Sequence, residues 1–156
     1  MTSNELAKVT YLDEHQLVTD FVDRLAVQTT PWGPLSLVTE FFYQRGRVDV
    51  VGVGSEGTVF AFEAKLTRWR LALQQAYRNT CFAHESYVLL PWDVAQVARQ
   101  YVTEFERRRV GLCTVCDGNL VILHEAKAAE PLQPWLAKVA FAEATRRSVA
   151  DASVEF

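Results

Sequence analysis

Apolar residues recur every three or four positions over residues 12 to 27. Leu17, Phe21 and Leu25 share one line and Val18 and Val22 lie one step off it, so the segment predicts an amphipathic helix. Asp13 and Glu14 stand at its start, where the helix dipole favours acids. Thr29-Thr30-Pro31-Trp32-Gly33-Pro34 ends it. The pattern then becomes extended. Residues 35 to 43, 47 to 53 and 58 to 65 predict three strands, joined by the turn sequences Gln44-Arg45-Gly46 and Gly54-Ser55-Glu56-Gly57. Connections this short predict an antiparallel meander.

Helical spacing returns over 68 to 83, with Trp69, Leu73, Ala76 and Thr80 on one stripe and Thr67 as the expected N-cap. Ser86 to Leu90 predicts a short strand stopped by Pro91. The helix before it implies a parallel pairing with the preceding strand. Residues 93 to 108 predict one helix with Val94, Val97, Ala98, Tyr101 and Phe105 inward, closing on Arg107-Arg108-Arg109. Val110 to Val115 and Leu120 to Leu123 predict a hairpin about Asp117-Gly118. A last helix, about 134 to 148, carries Trp135, Leu136, Val139 and Phe141, and the tail from Asp151 to Phe156 is expected to be loosely held. This order of elements predicts an α/β three-layer sandwich, a mixed central sheet flanked by helices.

At 156 residues the chain suits one core. The formal net charge of -3 differs from that of a strongly basic nucleic-acid binder, although a local basic groove can still steer a polyanion. The odd cysteine count, Cys81, Cys113 and Cys116, gives no disulfide framework and suits a reducing compartment. No basic segment followed by an apolar run opens the chain, and no apolar stretch approaches the ~20 residues that span a bilayer. A cytoplasmic protein with no membrane partner is the expectation.

Against that background, two apolar strands carry charges. Arg47-Val48-Asp49-Val50-Val51-Gly52-Val53 holds Asp49, and Val59-Phe60-Ala61-Phe62-Glu63-Ala64-Lys65-Leu66 holds Glu63 and Lys65. Charged side chains are rarely buried unless paired or bound to a metal. Strand alternation puts Glu63 and Lys65 on one face with Val59 and Ala61, and Asp49 on a face with Arg47 and Val51. Phosphodiester hydrolysis uses this combination of groups. Mg²⁺ takes hard oxygen ligands from one or two carboxylates, the ion lowers the pKa of a bound water, and a nearby lysine serves that water or the phosphate.

Asp49, a gap of 14 positions (63 minus 49), then Glu63-Ala64-Lys65 resembles the PD-(D/E)xK nuclease superfamily, with its restriction-endonuclease-like fold. The similarity covers roughly residues 10 to 91, leaving 92 to 150 as an elaboration of a single domain. Val48 stands where the motif's name has proline. The resemblance implies that Asp49, Glu63 and the backbone carbonyl of Ala64 bind Mg²⁺, for which Mn²⁺ substitutes, and that Lys65 is the catalytic lysine. Glu14 and Glu40 are the candidates for an added acidic ligand, and Gln74 or Gln75 for a supporting glutamine.

Each of these residues has a plainer role beside the chemical one. Asp49, Glu63 and Lys65 make a strand-end ion pair in a protein without a nuclease site, or a dead site on a binding scaffold. Glu14 serves as a first-turn helix acid. Glu40 is placed between solvent and partial burial beside Val38 and Phe42. Arg45, Arg47, Arg68, Arg70 and Arg78 offer a phosphate-binding rim, with solvated arginines as the alternative. Trp69 is expected in the core. Cys113 and Cys116 make half a zinc site with no second pair, and a strand turns them to opposite faces. His15, His84 and His124 lack ligand spacing.

The function these residues imply is a Mg²⁺-dependent nuclease acting on DNA. The alternative is an inactive domain of the same fold that binds nucleic acid or another protein. Nothing resembles a separate sequence-reading domain, so specificity would come from a homodimer or a partner protein.

Overall fold

The computed structural model describes residues 10–27, 30–43 and 46–154, and side chains as far as residue 147. Gln44 and Arg45, and the tail beyond Val154, lie outside the described residues. Helix α1 spans Glu14–Val27, strands β1, β2 and β3 span Leu35–Tyr43, Gly46–Gly54 and Val59–Ala64, and α2 spans Trp69–Asn79. Then come β4 (Glu85–Leu89), α3 (Trp92–Arg99), α4 (Val102–Arg108), β5 (Val110–Cys116), β6 (Asn119–His124) and α5 (Pro134–Val154).

The six strands form one sheet in sequence order. β1, β2 and β3 pair antiparallel, β3, β4 and β5 pair parallel, and β6 returns antiparallel to β5. The expected meander, parallel β4 and three-layer α/β architecture are all present. The β5–β6 turn uses Asp117 and Gly118, both at positive φ, as a two-residue hairpin turn requires.

One face of the sheet packs Phe60, Phe62, Tyr87 and Leu89 beneath Leu17 and Phe21 of α1. The other face carries α5 over β1 to β3 and α2, α3 and α4 over β4 and β5. The backbone amide of Gln16 donates to Asp13 Oδ1 at 2.9 Å, which caps α1.

Several local expectations are corrected. The helix over 93–108 is two helices, because Tyr101 leaves the helical backbone at φ −110 and ψ 34 to place its ring 5.3 Å from that of Trp69. Val97 and Tyr101 are exposed, while Ala98 and Phe105 are buried. Arg68, not Thr67, caps α2, and it makes no side-chain cap bond. The buried stripe of α2 ends on Asn79 in place of Thr80. The last helix continues through Asp151 to Val154, and it buries Ala137, Ala140 and Ala144 while Trp135, Val139 and Phe141 face outward.

Alternation also breaks in the middle of β1 and β2. Glu40 has φ +55, a left-handed conformation inside a strand. Val38 and Phe41 therefore enter the same core cluster, and Phe42 turns out to solvent at 70% exposure. On β2, Val48 and Val51 face one cluster and Val50 the other, so the inversion sits at Asp49. Glu40 and Asp49 thus occupy the place where both strands change face, and neither follows the simple alternation expected for it.

Candidate active site

The β2–β3 ladder runs from Val53↔Val59 to Val50↔Phe62. The next step of that register sets Asp49 opposite Glu63, and their carboxyl groups lie within hydrogen-bonding reach of each other. Asp49 is fixed from two sides. Its Oδ2 accepts from the backbone amide of Ala64 at 2.9 Å, and its Oδ1 lies 3.6 Å from the Arg47 guanidinium. Arg47 also reaches Glu40 at 3.5 Å, so one cation bridges two of the candidate acids.

Glu63 is 3% exposed and points toward α2, on the sheet face of Ala61. There Asn79 Nδ2 donates to its Oε1 at 2.8 Å. Burial, and then the neighbouring Asp49 carboxyl, push the Glu63 carboxyl up to about 8, against the opposing pull of Asn79 and Arg78. A dication suits such a pair: it supplies the compensating charge that burial denies, and both partners are hard oxygen donors. Among the described residues, no group of three or more His, Cys, Asp or Glu side chains is placed to hold a metal ion.

Lys65 lies one residue beyond β3 and takes a different direction from Glu63. Its Nζ is 3.4 Å from Glu14 Oε1 at the start of α1, on the opposite side of the sheet from α2. Glu14, Glu40 and Lys65 meet around Asp49 instead. A cleft of about 490 Å³ between α1 and β1–β2 is lined by Asp49, Lys65, Glu14, Glu40 and Arg47, and Glu63 is not part of that lining.

The remaining candidates disperse. Arg68 joins Lys65 and Glu14 in an adjoining hollow. Arg70 lies 4.1 Å over the Trp69 ring and 4.8 Å over that of Tyr101, with Glu104 at 3.5 Å, so it belongs to the α2–α4 seam. Gln74 opens into a hollow with Tyr77 and Leu132, and neither it nor Gln75 bonds to Glu63. Arg78 stands behind Glu63, close enough to act on both Glu63 and Tyr43. Trp69 is in the core, Cys113 is buried, and Cys116 is partly buried. His84 Nδ1 accepts from the Val59 amide at 3.0 Å, a structural bond.

Two residues escape sequence reasoning, Asn79 and Tyr43. Tyr43 donates from its hydroxyl to Asn79 Oδ1 at 3.1 Å. A signal for Asn79 was available: it follows Ala72 and Ala76 at helical spacing, so it is an amide on an apolar stripe.

No family model matches the chain, and no curated protein matches it. Among solved structures it is similar to SPO1766, a protein of unknown function from Silicibacter pomeroyi. That match has a TM-score of 0.64 and 16% identity over 92% of this chain and 91% of that one. It also matches a repair endonuclease from Pyrococcus abyssi at a TM-score of 0.37 and 14% identity, over 60% of this chain and 46% of that one. Nearly the full length of this chain therefore shares its fold with the Silicibacter protein, and at that identity the likeness is one of fold.

Proposed function

We propose that the chain is a Mg²⁺-dependent nuclease acting on DNA, with Asp49, Glu63 and the Ala64 carbonyl as metal ligands and Lys65 as the catalytic lysine. The observation that carries this reading is the β2–β3 register, which sets Asp49 opposite Glu63, while Asp49 also lines a cleft that contains Lys65. When bound, the ion would supply an activated water and positive charge beside the phosphate. Lys65 would orient that water or meet the phosphate charge, its ammonium being held by the partly exposed Glu14. Arg47 and Arg68, at the cleft and its neighbouring hollow, would receive backbone phosphates. Glu14 and Glu40 would join the metal only by releasing Lys65 and Arg47.

Purified protein with Mg²⁺ or Mn²⁺ should cleave DNA, and Glu63→Gln or Lys65→Ala should lower the rate by about 10² or more. Intact cleavage in both variants sinks the assignment. The near-complete burial of Glu63 favours a second reading, a non-catalytic module of the same fold. Salt-dependent DNA binding with no cleavage and no Mn²⁺ binding would support it. In either case a homodimer or a partner protein would supply sequence specificity.

A further inference from the structure

We infer that Asn79 and Tyr43 are positioning residues for Glu63, a donor relay that turns one carboxylate oxygen toward α2 and leaves the other for the metal. This rests on the nuclease reading above. Asn79 is 0% exposed and is the last residue of α2. Its backbone is fixed there: the amides of Phe82 and Ala83 both donate to its carbonyl, at 3.1 and 3.0 Å. One turn earlier, the buried Ser86 hydroxyl donates to the Ala76 carbonyl at 2.6 Å and ties α2 to β4, the strand beside β3. The side-chain amide is fixed as well. The Tyr43 hydroxyl donates to Oδ1, which leaves Nδ2 as the group facing Glu63 Oε1 at 2.8 Å. The Tyr43 ring is itself held, 5.1 Å from that of Phe82 and stacked on Phe41.

Every donor in this series points the same way, from Tyr43 through Asn79 to Glu63. Aligned hydrogen bonds of this kind polarise one another in a low-dielectric interior. A glutamate side chain has rotatable bonds that a bound ion would otherwise have to restrain, and the relay restrains them beforehand. Partners behind a ligand set its orientation and basicity, and their loss costs roughly 10- to 100-fold in metal affinity.

The test uses the full chain and Mn²⁺ alone, titrated by calorimetry, with circular dichroism to establish folding. Asn79→Leu should weaken Mn²⁺ binding at least about tenfold. Tyr43→Phe, which keeps the ring and frees the amide to turn, should weaken it by a smaller factor. In cleavage assays both variants should regain rate at raised Mn²⁺, with KM for DNA unchanged, a rescue that a fault in folding does not give. Wild-type Mn²⁺ affinity in Asn79→Leu overturns the relay while the metal reading stands. If Asn79→Leu does not fold, wild-type affinity in Tyr43→Phe overturns it instead. A wild-type protein that binds no Mn²⁺, or binds it equally after Asp49→Ala, overturns the nuclease reading and the relay with it.

Discussion

Glu63 is an acid that the fold holds protonated well above its ordinary range, and its surroundings explain why. Asp49 faces it from β2, while Asn79 and Arg78 face it from α2 and Tyr43 acts through Asn79. Burial and the Asp49 charge outweigh the donors, so its carboxyl rises from 4.5 to about 8 in the folded chain. Between those values the folded protein holds a proton that the unfolded chain has released. The favourable contribution is complete below the unfolded value and is lost as pH rises through the folded one. Urea unfolding of metal-free protein should therefore show stability falling with pH from near 5 to 8. The slope from this group can reach about 1.4 kcal/mol per pH unit. Glu63→Gln should flatten that slope, and an unchanged slope would refute the assignment. At this scale the sequence marked Asp49 and Glu63 as charges on apolar strands. Helical spacing puts Asn79 on an apolar stripe with Ala72 and Ala76, but its partner is set only by the strand it faces.

The strands and most helices were legible as elements, because apolar spacing reports which face each must bury. Three departures mark where the local pattern gives way. Tyr101 breaks a helix to reach Trp69, Glu40 inverts β1, and α5 buries its alanines in place of its large residues. The tightest packing constraint lies on β5. A Cβ at Gly111 would stand 2.3 Å from Tyr87 Cε1 and 2.6 Å from the Ala126 backbone nitrogen. The backbone atom cannot swing aside, and the Tyr87 ring is packed 5.7 Å from that of Phe62. Gly111→Ala should cost about 3 kcal/mol, near the upper end for overpacking. A urea midpoint matching wild type would show that β5 and the segment after β6 yield more readily than this packing implies.

At the scale of the whole molecule, α5 sits on β1 to β3 through Ala137, Ala140 and Ala144, and its backbone comes close because those side chains are small. Ala140→Leu should destabilise by about 1–3 kcal/mol in thermal melts. Trp135→Ser, on the outward face, should stay within about 0.5 kcal/mol. Equal effects from the two would contradict the observed packing face.

The sequence by itself determined the order of the strands and of most helices, the antiparallel meander with its parallel fourth strand, and the charged positions on β2 and β3. Those follow from local periodicity, turn chemistry and connection length. Only the tertiary structure decided that Asp49 stands opposite Glu63, that Lys65 turns to Glu14 instead of following Glu63, and that Asn79 and Tyr43 complete the buried side. Register, strand inversion and the angle at which a helix meets its sheet depend on residues far apart in the chain, and no local pattern encodes them.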